Sequence, residues 1–259
     1  MNGTLSTAAT GLNAYNTKLQ FISNNLANSQ TTGYKSTTPE FATLMTINVI
    51  EPSNAGGAAS AGLQIGTGVG VIGSATNFKQ GQPVETGKPL DLMINGDGFI
   101  PVVKQDGSRL YTRGGSFIIN ADGQISTRDN MLLDPEISVP ENTESITIAS
   151  DGRVLAKLSG EVDTTEIGQI QLVKFANNNG LRAISGTYYE RNIKTSGDEI
   201  TGNADENGFG SMMQGYLEAS NVNSTKELVD MIETQRGYEQ VSKTMTAASD
   251  MMKTLNQSL

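Results

Sequence analysis

Apolar residues recur every seven positions at both ends of this chain, and this pattern restricts its fold more than any other feature. The N-terminal seam is formed by Leu5, Leu12, Leu19 and Leu26, with Ile22 in the second apolar position of the repeat. A heptad spacing places these side chains along one side of an α-helix and suits that side for packing against another helix. We therefore predict a helix that ends near Gly33, where a glycine can adopt a positive φ angle.

The C-terminal segment carries the same repeat over a longer stretch. Its seam residues are Met231, Tyr238, Met245, Met252 and Leu259, with Val241 and Leu255 in the second apolar position. Ser224 and Glu227 have the spacing of a capping box, in which the serine hydroxyl accepts a hydrogen bond from the Glu227 N–H. The helix is predicted to run from Thr225 to the end of the sequence.

Each terminal helix is marginally stable in isolation, so both are expected to need helical partners. One interpretation is an ordinary amphipathic helix that packs on its own domain. The other is pairing of the two helices with each other and with copies of the same chain. Gly11 and Gly237 lie inside the predicted helices, and they fit either a close approach between backbones or a tolerated surface glycine.

The amino-acid composition changes between the two predicted helices. Residues 52–62 are rich in Gly, Ala and Ser, and we interpret residues 34–70 and 203–221 as an extended connector region. Residues 71–202 contain short strand patterns that are separated by turn signals. The dipeptides Asp106-Gly107, Asp122-Gly123 and Asp151-Gly152 are typical of β-hairpin turns.

These patterns together predict an α+β fold. The terminal segments 1–33 and 222–259 form a coiled-coil-like stalk of α-helices, and residues 71–202 form a central antiparallel all-β domain. The connector joins the two parts. The seam residues are the candidate assembly interface.

Composition excludes most catalytic chemistry. The chain has no Cys and no His, which excludes zinc sites of the Cys/His type, thiol nucleophiles and Ser-His-Asp triads. Carboxylate chemistry remains open, and a carboxylate-dependent enzyme acting on peptidoglycan is the alternative from another functional class. The acidic residues are scattered, so we expect no enzyme activity, no cofactor and no metal site.

The charge of the chain argues against two kinds of partner. Its net charge of −9 repels the phosphates of nucleic acids, so we expect no nucleic-acid binding. No stretch is long and apolar enough to span a bilayer, so we expect no membrane insertion. The first residues have neither a positive region nor an apolar run, and we expect no cleaved signal peptide.

Specific motifs at both ends resemble a known family. The N-terminal motifs are residues 6–14 (STAATGLNA), 22–28 (ISNNLAN) and 31–35 (TTGYK). The C-terminal motifs are residues 215–223 (GYLEASNVN), 227–232 (ELVDMI) and 235–239 (QRGYE). The chain is identified by these motifs as a member of the flagellar rod and hook proteins, although Gly237 stands where the family usually has Ala.

The middle of the chain favours one group within this family. Residues 62–69 (GLQIGTGV) resemble the segment that is typical of distal rod members, and hook proteins are usually longer than this chain. A proximal rod subunit and a short hook protein are the alternatives within the family.

The resemblance implies a structural subunit that self-assembles into a rigid, hollow helical tube and transmits torque to the hook. It implies that the terminal helices line the inner layer of the tube and that the β domain forms the outer one. Implied partners are copies of the chain, other rod subunits, the hook protein, the ring bushing proteins and the flagellar export apparatus. The implied location is the basal body, across the periplasm, after export without a cleaved signal.

Overall fold

A computed structural model describes residues 2–50, 63–160, 163–185 and 187–257 of the chain. The described residues form two compact units. One contains residues from 1–27, 37–77 and 222–259, and the other contains residues 28–36 and 78–221. The Gly-, Ala- and Ser-rich stretch 52–62 lies outside the described residues.

The first unit contains the two predicted terminal helices. Within the described residues the helices are α1 (Asn2–Ala27), α2 (Ile193–Ser196) and α3 (Ser224–Gln257), and a 3-10 turn spans Asn178–Gly180. Helices α1 and α3 pack against each other. Helix α1 ends six residues before Gly33 because residues 28–33 form turns, in which the Thr31 N–H donates to the Asn28 carbonyl.

The described residues of the first unit also form the strands β1 (Thr37–Thr43), β2 (Thr46–Ile50), β3 (Leu63–Gly66) and β4 (Val69–Thr76). Strand β1 pairs antiparallel with β4, and β2 pairs antiparallel with β3. The Leu44 N–H donates to the Gly68 carbonyl at 2.9 Å and joins the two ladders. The described part of the expected connector 34–70 therefore contains paired strands, which we call the ribbon, because β1 pairs with β4 and β2 pairs with β3.

The second unit contains the remaining strands. They are β5 (Pro83–Glu85), β6 (Leu92–Asn95), β7 (Ile100–Val103), β8 (Arg109–Thr112), β9 (Phe117–Ile119), β10 (Ile125–Thr127), β11 (Leu132–Leu133), β12 (Thr143–Ile148), β13 (Arg153–Leu158), β14 (Thr164–Gln169), β15 (Gln171–Phe175), β16 (Arg182–Ser185), β17 (Tyr188–Glu190), β18 (Glu199–Asn203), β19 (Ser211–Gln214) and β20 (Tyr216–Glu218).

A seven-stranded sheet with the order β16-β17-β8-β7-β11-β10-β9 dominates this unit. A second sheet has the order β12-β13-β14, and the pairs β15-β18, β19-β6 and β20-β5 complete the described part. The core is apolar and includes Val102, Leu133, Val154 and Leu172, none of which is accessible to solvent. The three predicted Asp-Gly turns are confirmed, since they join β7 to β8, β9 to β10 and β12 to β13.

Residues 203–221, expected to belong to the connector region, contain two paired strands. Strands β19 and β20 lie in this range and pair with β6 and β5, which precede them by more than a hundred residues. Met212 and Leu217 are buried there, which explains why the segment is ordered as strands. The order of elements confirms the expected arrangement of an N-terminal helix, a mostly antiparallel β region and a C-terminal helix.

Candidate assembly interface

The predicted seam residues are mostly half-buried. Ile22 is buried. The half-buried seam residues are Leu5, Leu12, Leu19, Leu26, Met231, Tyr238, Val241, Met245 and Met252. The Leu255 side chain and Leu259 lie outside the described part of the chain. The fold thus gives these residues partial cover within the chain, and their contact with other copies stays a prediction.

Helix α3 also carries apolar side chains that the heptad pattern does not include. Leu228, Val229 and Ile232 are 48%, 50% and 51% exposed. They lie on the first half of the helix, where Ile232 is a surface neighbour of both Leu228, four positions earlier, and Val229, three positions earlier. We call these three residues the α3 stripe. A row of half-exposed apolar side chains on one helix is typical of a surface that packs against another protein.

The two interior glycines of the helices differ in their surroundings. A Cβ on Gly237 would lie 2.7 Å from the Cε1 and Cζ atoms of Tyr15. A Cβ on Gly11 would meet only the Val241 Cγ1 atom, at an ordinary 3.8 Å. Gly237 therefore allows the Tyr15 ring of α1 to lie directly against α3, and of the two open interpretations it supports close approach.

Asn25 joins three elements of the first unit. Its Nδ2 donates to the Thr37 carbonyl and its Oδ1 accepts from the Thr37 N–H, both at 3.0 Å. Its Nδ2 also donates to the Glu227 carboxylate at 3.4 Å. Burial raises the pKa of Glu227, and the Asn25 hydrogen bond opposes that rise to a smaller extent. Asn25 therefore connects the end of α1 to the start of β1 and to the first turn of α3.

The cap of α3 differs from the predicted capping box. The Asn223 side chain accepts from the Lys226 N–H at 3.1 Å, and the Asn223 carbonyl accepts from the Glu227 N–H at 3.0 Å. The predicted bond from the Glu227 N–H to Ser224 is therefore wrong. Asn223 takes the capping role because asparagine is at least as good an N-cap as serine and stands one residue earlier.

The ribbon of the first unit lies close to α1 at one glycine. Gly68 has a φ of +125°, and a Cβ there would lie 2.1 Å from the Thr10 hydroxyl. The same hydroxyl accepts a hydrogen bond from the Val69 N–H at 3.4 Å. An open groove of about 950 Å³ lies in the same unit. It is lined by α1, by α3 and by the exposed Ile47 and Ile65 of the ribbon. It adds a second apolar surface to the first unit.

The second unit contains a buried charge cluster built from both terminal motifs. The Lys35 Nζ lies 2.5 Å from the Glu218 Oε1, and it donates to the Lys79 carbonyl at 2.8 Å. The Glu218 carboxylate also accepts from the Gly81 N–H at 2.7 Å. Arg113 completes the cluster, with its NH1 atom 3.5 Å from the Glu218 Oε2.

Backbone contacts hold the same two segments together. The Gly33 N–H donates to the Glu218 carbonyl at 2.7 Å, and the Ser36 N–H donates to the Asn221 Oδ1 at 2.8 Å. Burial lowers the pKa of Lys35, and the Glu218 charge opposes that shift. Residues 31–36 and 215–221 are therefore locked to each other inside the second unit.

Lys35, Arg113 and Glu218 were not predicted as interface or core residues. Lys35 and Glu218 stand in the terminal motifs, where each is the lone charged residue of an otherwise uncharged run. The absence of other charges around each residue could have indicated a buried ion pair, because charged residues are almost never fully buried unless they are paired. Their meeting depends on the fold, since the three positions are far apart in sequence.

The described residues contain no group of three or more Asp, Glu, His or Cys side chains that could hold a metal ion. In the same part of the chain no helix is long and apolar enough to cross a membrane.

Family models of flagellar axial proteins match three parts of the chain. "Flagella basal body rod protein" matches residues 5–35, which contain α1 and Lys35. "Flagellar hook protein FlgE/F/G D1 domain" matches residues 93–156 of the β region. "Flagellar basal body rod FlgEFG protein C-terminal" matches residues 213–258, which contain Glu218 and most of α3. These matches define the class as flagellar rod and hook proteins.

Curated relatives narrow the class. The flagellar basal-body rod protein FlgG of Caulobacter vibrioides is 38% identical over 98% of both chains. The rod protein FlgF of the same organism is 30% identical over 91% of this chain and 89% of its own length. A solved Helicobacter pylori flagellar hook protein, FlgE2, covers 71% of this chain and 56% of its own length at 13% identity, with a TM-score of 0.26.

This chain belongs to the flagellar basal-body rod proteins, in the group whose curated relatives carry the name FlgG. Its family and the names of its relatives make it a structural protein and not an enzyme. The alternative of a carboxylate-dependent enzyme is therefore wrong.

Proposed function

We propose that the chain is a distal rod subunit that self-assembles into a rigid, hollow helical tube and transmits torque to the hook. The single observation that carries this proposal is the α3 stripe. Its three apolar side chains stay about half exposed while α1 and α3 pack on each other.

The energetics of the stripe favour association. Full burial of a side chain such as Leu or Ile contributes about 1.5–3 kcal/mol, so covering three half-exposed ones adds roughly 3 kcal/mol per contact. That amount alone gives weak binding between two copies. In a tube each subunit makes several such contacts, and the weak terms add up to a stable assembly.

The symmetry of the contact decides whether a closed oligomer or a tube results. The α3 stripe lies on the first half of α3, whereas the groove beside Ile47 and Ile65 is lined by Val241–Ala248 in its second half. Contacts between unlike surfaces are head-to-tail, and they build open helices when the rotation does not close. We propose that the seam residues and the α3 stripe are assembly contacts of this kind.

The assignment of segments follows the family resemblance. We propose residues 1–33 and 222–259 as the inner-tube domain, residues 34–70 and 203–221 as the connecting region, and residues 71–202 as the outer domain. In this arrangement the terminal helices act as a coiled-coil-like stalk. The heptad seams of both helices support that geometry.

Partners and location follow from the same family membership. We propose that the tube joins other rod subunits and the hook protein, passes through the ring bushing proteins and spans the periplasm. The flagellar export apparatus would deliver the chain without a cleaved signal. The higher identity to FlgG than to FlgF of one organism, 38% against 30%, favours the distal rod over a proximal rod subunit.

Electron microscopy of the concentrated full chain tests the proposal. Negative stain should show straight, hollow tubes whose length grows with protein concentration. Curved, supple filaments would instead indicate a short hook protein. Dispersed particles at every concentration would contradict the proposal.

A pair of variants tests the role of the α3 stripe. Leu228→Ser with Ile232→Ser should abolish the tubes without unfolding the chain, because both side chains are exposed in the single copy. Val84→Ser with Ile200→Ser is the matched control, since it removes similarly exposed apolar side chains from the second unit. Equal loss in both variants would show that the stripe has no special role.

A further inference from the structure

The second unit contains a groove with an apolar floor and an acidic rim. Leu90, Val139 and Ile146 are half-buried against the core and form its floor. Glu141 and Glu144 are exposed on its rim. Asp122, in the β9–β10 turn, adds a third carboxylate to the rim. Among the described residues Lys157 pairs with this rim, since its Nζ lies 3.9 Å from Glu144 in an exposed pair. We call this feature the acidic groove.

The same unit carries an apolar knob with basic neighbours. Ile193, at the start of α2, is 63% exposed. Arg191 and Lys194 flank it, and within the described residues neither forms an ion pair. Lys194 is exposed, whereas Arg191 is half-buried and lies near Tyr111. An apolar side chain flanked by two cations complements a groove that has an apolar floor and an acidic rim. We call residues 191–194 the basic knob.

The knob is held in a fixed shape by hydrogen bonds. The Asn192 side chain accepts from the Lys194 N–H at 3.2 Å, and its carbonyl accepts from the Ser196 N–H at 2.8 Å. Ser196 is 1% exposed and its hydroxyl also donates to the Asn192 carbonyl, at 2.8 Å. A preformed knob loses little conformational entropy when it binds.

The topology keeps the two surfaces apart within one copy. The groove includes the end of β9, which is one edge strand of the seven-stranded sheet. The knob follows β17, next to the opposite edge strand. Five strand-to-strand steps separate β17 from β9 in the sheet order, and at about 4.8 Å per step this is roughly 24 Å. The knob and the groove of one copy therefore do not cover each other, so a contact between them would join two copies.

We propose that the acidic groove of one copy of this chain binds the basic knob of the next copy. Ile193 covers the apolar floor, and Arg191 and Lys194 face the carboxylates of the rim. The contact joins unlike surfaces, so it propagates from copy to copy. This inference rests on the proposed self-assembly and specifies one contact through which the second unit, which we call the β unit, would take part in it.

Charge reversal on either side of the contact tests it. Glu141→Lys with Glu144→Lys, or Arg191→Glu with Lys194→Glu, should each lower the assembled fraction about tenfold or more, because like charges then meet. The four changes together should restore assembly, since opposite charges face each other again. A mixture of the two double variants should also assemble, because each supplies the complement of the other.

Asp163→Lys with Glu166→Lys is the matched control. It changes the net charge by the same amount as the groove variant, at two exposed positions, one directly before β14 and one within it, that do not line the groove. This control should assemble like the unchanged chain. If the groove variant behaves like the control, or if the fourfold variant stays as defective as its parents, the proposal is wrong.

Disulfide trapping gives a second readout that does not need tubes. The chain has no cysteine, so single cysteines can be placed without a background. Ser145→Cys in the groove and Ile193→Cys in the knob, mixed and treated with a mild oxidant, should form a mixed dimer about tenfold faster than Ser145→Cys mixed with Thr164→Cys. Equal rates would overturn the contact. Failure of the unchanged chain to form tubes would instead count against the proposed function.

Discussion

The Lys35 ammonium and the Glu218 carboxylate lie 2.5 Å apart, although 183 residues separate them in the sequence. Both side chains are buried, with 0% and 1% exposed. The pair joins the two terminal motifs of the family inside the β unit. Arg113 adds a second cation, so removal of the carboxylate leaves two buried charges without their counterion.

Glu218→Gln should therefore destabilise the β unit strongly. Loss of one partner of a buried ion pair typically costs about 3–5 kcal/mol, because the remaining charge is not compensated. Urea unfolding followed by tyrosine fluorescence measures this change. Glu141→Gln is the control, since that carboxylate is exposed, and it should change the free energy of unfolding by less than about 0.5 kcal/mol. Similar losses in both variants would contradict the role of the cluster.

The two interior helix glycines should respond differently to alanine. Gly11→Ala should raise the stability of the first unit by up to about 1 kcal/mol, because alanine has the higher helix propensity and its Cβ meets only Val241. Gly237→Ala should gain less, because its Cβ would meet the Tyr15 ring at 2.7 Å.

A double-mutant cycle isolates that clash. In a Tyr15→Ala background, Gly237→Ala should recover the gain seen for Gly11→Ala. Thermal unfolding monitored by circular dichroism at a helix wavelength measures all four proteins. A gain for Gly237→Ala that is the same with and without Tyr15 would show that the ring does not limit the substitution.

The cap of α3 should be sensitive to Asn223 and insensitive to Ser224. Asn223→Ala removes the acceptor of the Lys226 N–H and should cost about 1 kcal/mol. Ser224→Ala should cost only a few tenths of a kcal/mol, since that residue already lies in the first turn. Urea unfolding of the two variants side by side makes the comparison. A larger loss of stability in Ser224→Ala than in Asn223→Ala would show that Ser224 is the cap, as the capping box predicted.

Alkaline pH should weaken the β unit partly through Tyr188. Burial, with a smaller effect of Asp129, raises the pKa of Tyr188 to about 12. The phenol of an unfolded chain ionises near pH 10, so between about pH 10 and 12 the unfolded state releases the proton first. Stability therefore falls as pH rises through this window.

Tyr188→Phe tests this linkage. The variant should lose about 1 kcal/mol less stability than the unchanged chain between pH about 9.5 and about 11.5, after allowance for solvent screening. At neutral pH the phenol is protonated in both states, so the pH-dependent difference should vanish there. A parallel fall of both proteins across the alkaline window would contradict the raised pKa.

The elements that the sequence predicted well are those specified by residues close together in the chain. The heptads predicted both terminal helices, because periodicity along one segment is enough to define a helix face. The Asp-Gly turns were predicted for the same reason, since Gly107, Gly123 and Gly152 have the positive φ angles that such turns require.

The elements that the sequence did not predict depend on distant partners. Strands β19 and β20 pair with β6 and β5, and no local pattern in residues 203–221 specifies those partners. The cluster of Lys35, Arg113 and Glu218 was missed for the same reason. The capping box was wrong because two good capping residues stand next to each other, and local spacing did not decide between them.

The pairing of β6 with β19 also determines when this protein can fold. Leu92 is matched with Gln214, so the strand that closes the sheet is synthesised more than a hundred residues after its partner. Contacts between such distant residues slow folding, because a long loop must close before they form. A chain that emerges from the ribosome or a narrow passage with its N-terminus first would hold an incomplete sheet until its last quarter appears. Because the β unit is completed late, most of the chain would stay unfolded while it moves through such a passage.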